Sequence, residues 1–258
     1  MEDSIRFQVA VRSIVGAREE QQDAVYVHAD GSKVLAVVCD GMGGLRSGRL
    51  AGLTAVAKMK ELYFAWDRKV SAPNMFLRAV DILDESVYGL KDEEGVRLAA
   101  GATIVAAVIE GGDLFWLSVG DSRLYLLRQT EIVKVTREHN YFLRLNRLLE
   151  EGGITPAEYE REAGRGEALI SYIGVGGVEI MDINSVPFRL AVGDTVLLAS
   201  DGLYKTLTDD EIKRHLGADA GESAAALIKA VSARRNAGQD NTTCVVIKCR
   251  ENDTEESR

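Results

Sequence analysis

The sequence contains few cysteines, prolines and histidines, and it has no long apolar run. Its three cysteines follow no zinc-ligand spacing and their odd number fits a reducing compartment, so we expect buried, inert thiols. No apolar run approaches the length of a membrane span, and the first residues lack the basic and apolar regions of a secretory signal. We therefore predict a cytoplasmic protein that does not enter a membrane.

The sequence also lacks an excess of positive charge. Its 31 Lys and Arg residues stand against 40 Asp and Glu residues, which gives a formal net charge of −9. Proteins that bind nucleic acids or anionic membranes generally have a basic surface, so we expect neither partner. A chain of 258 residues can bury a core without disulfides. We expect one domain over residues 1–250, a charged tail at 251–258 and a monomer.

Apolar patterns near the N-terminus predict three strands. Apolar and polar residues alternate from 5 to 11, which is typical of a half-buried strand, and residues 24–29 are predicted to be its partner. Residues 34–39 form a continuous apolar run that ends at Asp40. Such a run is expected of a strand that is covered on both faces.

Two helices are predicted next. Residues 41–48 form a glycine-rich turn, and Ser47 is suited to cap a helix that runs to about residue 66. Pro73 is suited to the first position of a second helix that ends near residue 90.

The middle of the chain favours an antiparallel meander. Its strands are predicted at residues 103–109, 114–119, 123–127 and 132–135, with a hairpin at Gly111-Gly112 and a second turn at 120–122.

Residues 141–180 depart from this regular pattern, and we name them the flap insert. They contain a helical run at 141–150, a capping box that begins at Thr155, and a glycine-rich stretch at 164–177. Few strong apolar residues anchor this segment, so we expect it to pack on the domain edge and to be mobile. No capped amphipathic helix follows the glycines at 174–177, which argues against a dinucleotide-binding loop.

The C-terminal part repeats the order of strands followed by helices. Strand character resumes at Val186 and at residues 195–199, a second capping box begins at Thr208, helices run to about residue 236, and a last strand is expected at 242–248. Most links between strands are hairpins. The pattern therefore predicts an α+β fold, a layered sandwich of mainly antiparallel sheets with helices outside.

Five aspartates each stand where an apolar run gives way to a small or polar residue: Asp23, Asp40, Asp121, Asp201 and Asp240. Any one of them could be ordinary turn chemistry. A carboxylate at the end of a buried strand is nevertheless costly to desolvate unless a cation or a donor satisfies it. Hard divalent ions such as Mg²⁺ and Mn²⁺ prefer such oxygen ligands. Together the five predict a metal site.

The same residues suggest a chemistry. Asp40 has two oxygens that can bridge two ions, the carbonyl of Gly41 can turn toward an ion, and Asp201 and Asp240 can add further ligands. Two ions roughly 3.5–4 Å apart share a water that loses a proton near neutral pH and attacks phosphorus in line. Arg18 lies close in sequence to Asp23, so its guanidinium could bind a substrate phosphate.

At this point the motifs are recognisable. Six of them, in order and at fitting distances from near residue 5 to residue 248, resemble the metal-dependent Ser/Thr protein phosphatases of the 2C (PPM) type, in their bacterial variant. They are Arg18…Gln22-Asp23, Asp40-Gly41-Met42-Gly43-Gly44, Gly101-Ala102-Thr103, Val119-Gly120-Asp121-Ser122-Arg123, Ser200-Asp201-Gly202 and Asp240-Asn241-Thr242-Thr243.

The resemblance implies a central β-sandwich flanked by helix pairs, with two Mn²⁺ or Mg²⁺ ions in a cleft beside the flap insert. Asp40 would bridge both ions, the Gly41 carbonyl would bind one, and Asp201 and Asp240 the other. Asp23 would act near the ions directly or through water. Asp121 would bind a weaker third ion, and Arg18 would anchor the phosphate. The substrates would be phosphoserine and phosphothreonine in proteins, in opposition to a bacterial Ser/Thr kinase.

This sequence departs from the family pattern in three places. Met42 stands where many eukaryotic members have a histidine that can protonate the leaving group, which leaves the general acid open. Gln22 replaces an acidic residue before Asp23. His139, in Thr136-Arg137-Glu138-His139, is expected to lie behind the ligands at best. Thr103 is expected to be a strand residue that bonds near the site.

Two other functions remain as alternatives. A non-catalytic regulatory module would keep the fold and bind partners, although such proteins usually lose metal aspartates. A phosphotransferase with an aspartyl nucleophile needs a second acid two residues after the first, and Met42 occupies that position. Within the phosphatase hypothesis, a subclass that acts on a phosphoserine anti-sigma antagonist is also open.

Overall fold

The structure is a computed structural model that describes residues 5–252, apart from the side chain of Leu45. The strands are β1 (Ile5–Ile14), β2 (Asp23–Asp30), β3 (Lys33–Met42), β4 (Gly101–Ala102), β5 (Ile104–Glu110), β6 (Asp113–Val119), β7 (Arg123–Arg128), β8 (Glu131–Lys134), β9 (Asp182–Ile183), β10 (Phe188–Arg189), β11 (Thr195–Ala199) and β12 (Thr242–Glu251).

The helices are α1 (Leu45–Ala65), α2 (Ala72–Tyr88), α3 (Tyr141–Glu150), α4 (Pro156–Glu162), α5 (Asp201–Tyr204), α6 (Asp209–His215) and α7 (Ala220–Ala233), with a 3₁₀ turn at Ala163–Arg165. Thr155 and Thr208 form the predicted capping boxes of α4 and α6. No helix in the part of the chain that the structure describes is long and apolar enough to cross a membrane.

The strands form two antiparallel sheets. Sheet A has the order β1-β12-β11-β7-β8, and sheet B follows the path β10-β6-β5-β3-β2, with β4 paired to β3 and β9 paired to β6. Helices α1 and α2 cover the outer face of sheet B, where Phe76 is fully buried. Helices α6 and α7 cover sheet A around Leu227, and a third apolar layer fills the space between the sheets. The expected α+β fold with α-β-β-α layers is confirmed.

Strand β3 is buried on both faces, as its continuous apolar run predicts. Because side chains alternate along a strand, Leu35 and Val37 pack under the helices, whereas Ala36 and Val38 pack between the sheets. All four are fully buried. The apolar run ends where the strand reaches the edge of both layers, and Asp40 lies at that point.

The predicted partner of the first strand is wrong. β1 pairs with β12, with Ile5 opposite Glu251 and Ile14 opposite Thr242, whereas β2 pairs with β3. Alternation along β1 indicates that one face is buried but carries no information about which strand lies beside it. Neighbours in sequence usually pair, and that general tendency does not hold for β1.

The predicted meander is also divided between the two sheets. β5 and β6 form the expected hairpin in sheet B, and β7 and β8 form one in sheet A. The turn at 120–122 therefore links one sheet to the other rather than two neighbouring strands. Gly120 makes this change of direction possible, because its φ of 102° is in a region that side chains disfavour.

Three boundaries differ from the prediction. α1 begins at Leu45 with Gly44 as its N-cap, so Ser47 lies inside the first turn. Val186 lies outside the strands and is 73% exposed. β12 continues to Glu251, and residues 253–258 of the predicted tail lie outside the described range.

The glycine-rich end of the flap insert is fastened to α2. The buried carboxylate of Asp84 accepts hydrogen bonds from the backbone N–H groups of Gly174 (2.6 Å), Gly176 (3.3 Å) and Gly177 (2.6 Å). The adjacent Ile173 is fully buried in the core beneath α2. The expected scarcity of apolar anchors is therefore wrong for this part of the insert. The glycine motif binds a carboxylate of the same chain.

Asp84→Asn should lower the free energy of unfolding by about 1.5–3 kcal/mol. The substitution removes the charged acceptor and places an amide N–H₂ group against the backbone N–H groups of the glycines. For a chain of this size the melting temperature should fall by roughly 3–12 °C. Thermal unfolding followed by circular dichroism measures the change. Asp81→Asn, on the exposed face of the same helix, is the matched control. Equal melting temperatures for both variants would contradict the role of Asp84.

Candidate active site

Asp23 and Asp40 are brought together by strand pairing. They are opposite residues of the antiparallel strands β2 and β3, so their side chains emerge on the same face of sheet B. Asp23 is the first residue of its strand and Asp40 lies near the end of the next one. The apolar pattern determines where Asp23 and Asp40 lie along their strands, and the register of the β2–β3 hairpin places them opposite each other.

Thr103 holds the backbone of Asp40 from both sides. Its N–H donates to the carbonyl of Asp40 at 2.8 Å, and its hydroxyl oxygen accepts from the N–H of Asp40 at 3.0 Å. The same hydroxyl bonds to that of Ser122 at 2.7 Å. Thr103 bonds near the site as predicted, but it lies between β4 and β5 rather than in a strand, and it acts as a positioning residue.

Asp121 lies in the turn that crosses between the sheets, and three contacts fix that turn. The N–H of His139 donates to the carbonyl of Gly120 at 2.9 Å, and His139 Nδ1 accepts from the N–H of Gly120 at 3.1 Å. The hydroxyl of Tyr204 donates to the carbonyl of Asp121 at 2.9 Å. His139 is fully buried behind the turn, so it supports Asp121.

Asp201 begins the short helix α5 at the end of β11. The preceding residue, Ser200, donates through its hydroxyl to Asp23 Oδ2 at 2.7 Å and accepts from the N–H of Thr243 at 2.9 Å. Lys205 donates to Asp201 Oδ2 at 2.7 Å. Ser200 therefore joins sheet B to sheet A beneath the aspartates, a role that sequence analysis missed although Ser200 stands in a quoted motif.

Asp240 and Arg18 meet at the rim. Arg18 donates to Asp240 Oδ2 at 2.7 Å, with side chains that are 58% and 37% exposed. The loop that carries Arg18 is held by Asn241, another residue whose role sequence analysis missed. Its amide group donates to the carbonyls of Val15 (2.7 Å) and Glu20 (3.0 Å), and its oxygen accepts from the N–H of Gln22 at 2.7 Å.

The five aspartates form one electrostatic unit, which we name the carboxylate cluster. Burial, followed by the charges of Asp23, Asp201, Asp121 and Asp240, raises the pKa of Asp40 well above its usual range. Burial also raises the pKa of Asp23 to about 6, and like charges add to the shift. Burial and the charge of Asp201 raise the pKa of Asp121 to about 6. The structure thus brings all five predicted residues close enough to repel one another.

The donor set fits a hard divalent ion. Two buried oxygens of the cluster, Asp23 Oδ1 and Asp201 Oδ1, have no hydrogen-bond partner. An unpaired buried carboxylate oxygen is costly, and a cation that prefers oxygen ligands relieves that cost. As the side chains stand, no three Asp, Glu, His or Cys residues within 5–252 are placed closely enough to hold an ion. Two of the five carboxylates bond instead to Arg18 and Lys205.

The pKa shifts predict how ion binding depends on pH. Asp23 and Asp121 have a folded pKa of about 6 against an ordinary value of 3.8, so their protonation stabilises the metal-free fold at low pH. This contribution is complete below pH 3.8 and is lost as the pH rises through about 6. Ions require the deprotonated carboxylates, so protons compete with them.

The increase in unfolding free energy caused by Mn²⁺ should therefore grow as the pH rises from about 5 to about 7.5. Below its pKa, each carboxylate should add about 1.4 kcal/mol to this increase for every pH unit. The measurement is the difference in melting temperature between protein in Mn²⁺ and protein in EDTA. Asp210→Asn, on the exposed start of α6, should leave the pH profile unchanged. A difference that does not vary with pH would contradict the expectation.

Comparison with known proteins agrees with this arrangement. The profile of the protein phosphatase 2C family matches residues 13–237. The chain belongs to the protein phosphatase 2C family. The chain is 29% identical over 247 residues to the protein phosphatase PhpP of Streptococcus pneumoniae, an alignment that covers 92% of this chain and 95% of PhpP.

Two solved structures of PstP share the fold. The serine/threonine phosphatase PstP/Ppp of Mycobacterium tuberculosis has a TM-score of 0.72 and 28% identity, with 96% of this chain and 100% of that chain covered. The catalytic domain of PstP in complex with two manganese ions has a TM-score of 0.70 at the same identity and coverage. As a member of the 2C family this chain is a protein serine/threonine phosphatase, so the expected family, enzyme class and fold are confirmed.

Proposed function

We propose that the carboxylate cluster of this 2C-type phosphatase is the active site that hydrolyses phosphoserine and phosphothreonine in proteins, with two Mn²⁺ or Mg²⁺ ions. Asp40, the Gly41 carbonyl, Asp201 and Asp240 would hold the ions, with Asp23 beside them. When bound, the ions supply an activated water and neutralise the charge of the phosphate. The observation that carries the proposal is the convergence of five carboxylates, two of which have buried, unpaired oxygens.

Arg18 would bind the substrate phosphate at the rim of the cluster. Its guanidinium is mostly exposed to solvent and lies next to Asp240, so a phosphate that enters from solvent can reach it. A guanidinium offers two parallel donors to phosphate oxygens, which fixes the orientation of the ester as well as its position. Asn241 supports this role because it holds both ends of the Arg18 loop.

A cleft of about 500 Å³ beside the cluster would accept the polypeptide around the phosphorylated residue. Its walls come from β7, the flap insert and the end of α5. Its charged lining residues are Arg123, Lys134, Arg137, Glu138, Glu167 and Lys205. A mixed lining of this kind can bind both backbone and charged side chains of a peptide. The flap insert, which we expected beside the metal cleft, supplies part of this lining, including Glu167.

The physiological setting is part of the same proposal. The relatives are bacterial protein phosphatases, which supports a role opposite a bacterial Ser/Thr kinase. All three cysteines are free and buried, which suits a reducing compartment such as the cytoplasm. We propose that the chain acts as a monomer.

The test is turnover by the purified chain. With Mn²⁺ it should hydrolyse para-nitrophenyl phosphate and a phosphothreonine peptide, and EDTA should abolish both reactions reversibly. Asp201→Asn, prepared in parallel, should be inactive and thus exclude a contaminating phosphatase. A folded wild-type chain with no turnover in any divalent ion would contradict the proposal and favour a regulatory module that only binds partners.

A further inference from the structure

Lys205 lies among three carboxylates. Its ammonium group is 2.7 Å from Asp201 Oδ2, 3.8 Å from Asp121 Oδ2 and 3.9 Å from Glu167 Oε2. Asp201 and Asp121 belong to the carboxylate cluster, whereas Glu167 belongs to the flap insert. One ammonium group therefore joins α5, the turn between the sheets and the flap insert at the edge of the site.

The local sequence explains how Lys205 reaches this place. Asp201 is the first residue of α5, and Lys205 follows four residues later, so the helical turn puts both side chains on one face. Tyr204, between them in sequence, hydrogen-bonds to the carbonyl of Asp121 and draws the crossing turn against the same helix. The ammonium group is thereby directed at Asp121 as well as at Asp201.

This arrangement differs from a solvated ion pair on a helix. The side chains of Asp201 and Asp121 are only 12% and 8% exposed, whereas that of Lys205 is 45% exposed. The carboxylates are fixed and buried, and the cation comes to them from the solvent side. A dissolved divalent ion that binds at Asp121 would approach from the same side, and it would meet a positive charge already in place.

We propose that the ammonium of Lys205 takes the place of a third divalent ion at Asp121, so that this chain binds two ions rather than three. This inference rests on the proposed function, because the first two ions belong to that site. Lys205 neutralises Asp121 without a dissolved ion and repels a further cation. The positive charge of Lys205 is covalently part of the chain. The repulsion between Asp121 and Asp201 is therefore reduced without a weakly bound ion.

The test counts Mn²⁺ ions per chain by titrating metal-stripped protein and following free Mn²⁺ by electron paramagnetic resonance. The wild type should bind two ions, and Lys205→Met, which keeps the aliphatic stem, should bind three. The third ion should bind at least about tenfold more tightly than any third ion of the wild type, because a positive charge a few ångströms away is removed. Lys205→Arg keeps the charge and should still bind two.

Two controls locate the effect. Lys229→Met removes a positive charge from the exposed surface of α7 and should leave the count at two. Adding Asp121→Asn to Lys205→Met should return the count from three to two. The melting temperature in Mn²⁺ verifies that each variant is folded, and Lys205→Gln offers a second neutral variant if Lys205→Met unfolds.

Each outcome has a defined meaning. A wild type that binds three ions and loses one in Asp121→Asn would overturn the inference, as would neutral variants that still bind two. Either result leaves the proposed function intact as long as Mn²⁺-dependent turnover is observed. A wild type that binds no Mn²⁺ would contradict the proposed metal centre and the inference with it.

Discussion

Asp40→Asn is expected to reduce metal-dependent turnover by on the order of 10³-fold or more, and at the same time to raise the melting temperature in EDTA. The loss corresponds to about 4 kcal/mol of transition-state stabilisation, the scale expected when bound metal is lost. The gain in stability has a separate cause. Asp40 is half-buried, and desolvation followed by the charges of four other carboxylates raises its pKa, so a neutral amide removes both costs from the folded state.

The two effects require two measurements on one protein. Turnover of para-nitrophenyl phosphate in Mn²⁺ reports the first, and thermal unfolding in EDTA reports the second. Relief of about 1 kcal/mol should raise the melting temperature by roughly 2–4 °C. Asp210→Asn removes an exposed carboxylate from α6 and should change neither value appreciably. A lower melting temperature for Asp40→Asn would mean that Asp40 serves the fold rather than the site.

Arg18→Ala is expected to lower kcat/KM by roughly 10–100-fold, equally for a small phosphate ester and a phosphopeptide. Charge-assisted hydrogen bonds contribute about 1.5–3 kcal/mol, and a phosphate is common to both substrates. Most of the loss should appear in KM, because the proposed contact between the guanidinium and the phosphate forms before the reaction as well as during it. Arg18→Lys should restore only part of the activity, since an ammonium group lacks the planar pair of donors.

Arg214→Ala is the matched control for Arg18, because Arg214 is an exposed arginine of α6 outside the carboxylate cluster. It should leave both substrates unaffected. If Arg18→Ala impaired only the phosphopeptide, Arg18 would contact the polypeptide instead of the phosphate. If Arg18→Ala had a normal KM and a reduced kcat, we would conclude that Arg18 acts by positioning Asp240, with which it forms an ion pair.

The positions of the aspartates could be predicted because each one stands at or next to one end of an apolar run that the core requires. Asp40 follows a run that is buried on both faces, and Asp23 faces it once β2 and β3 pair as a hairpin. Local patterns therefore determine both the strand and the place where its polar end emerges. The same reasoning predicted the capping boxes at Thr155 and Thr208, since a cap depends on residues within one turn.

Features that depend on distant contacts could not be predicted in this way. The pairing of β1 with β12 joins segments more than two hundred residues apart, and alternation alone is compatible with many partners. The contacts of Asp84 with the glycines at 174–177 require α2 and the flap insert to be adjacent in space. Lys205 could be placed on one helical face with Asp201, but its approach to Asp121 depends on how the crossing turn packs against α5.

The place of β12 in sheet A has a consequence for biosynthesis. A ribosome makes this strand after the other strands that the structure describes, yet β12 lies in the interior of the sheet between β1 and β11, and Asp240 comes just before it. Until β12 has been translated, β1 and β11 each have an unpaired edge, which is a site of association with other chains, and Asp240 is missing from the carboxylate cluster. We therefore expect the carboxylate cluster to stay incomplete in a nascent chain until residues 240–251 have left the exit tunnel.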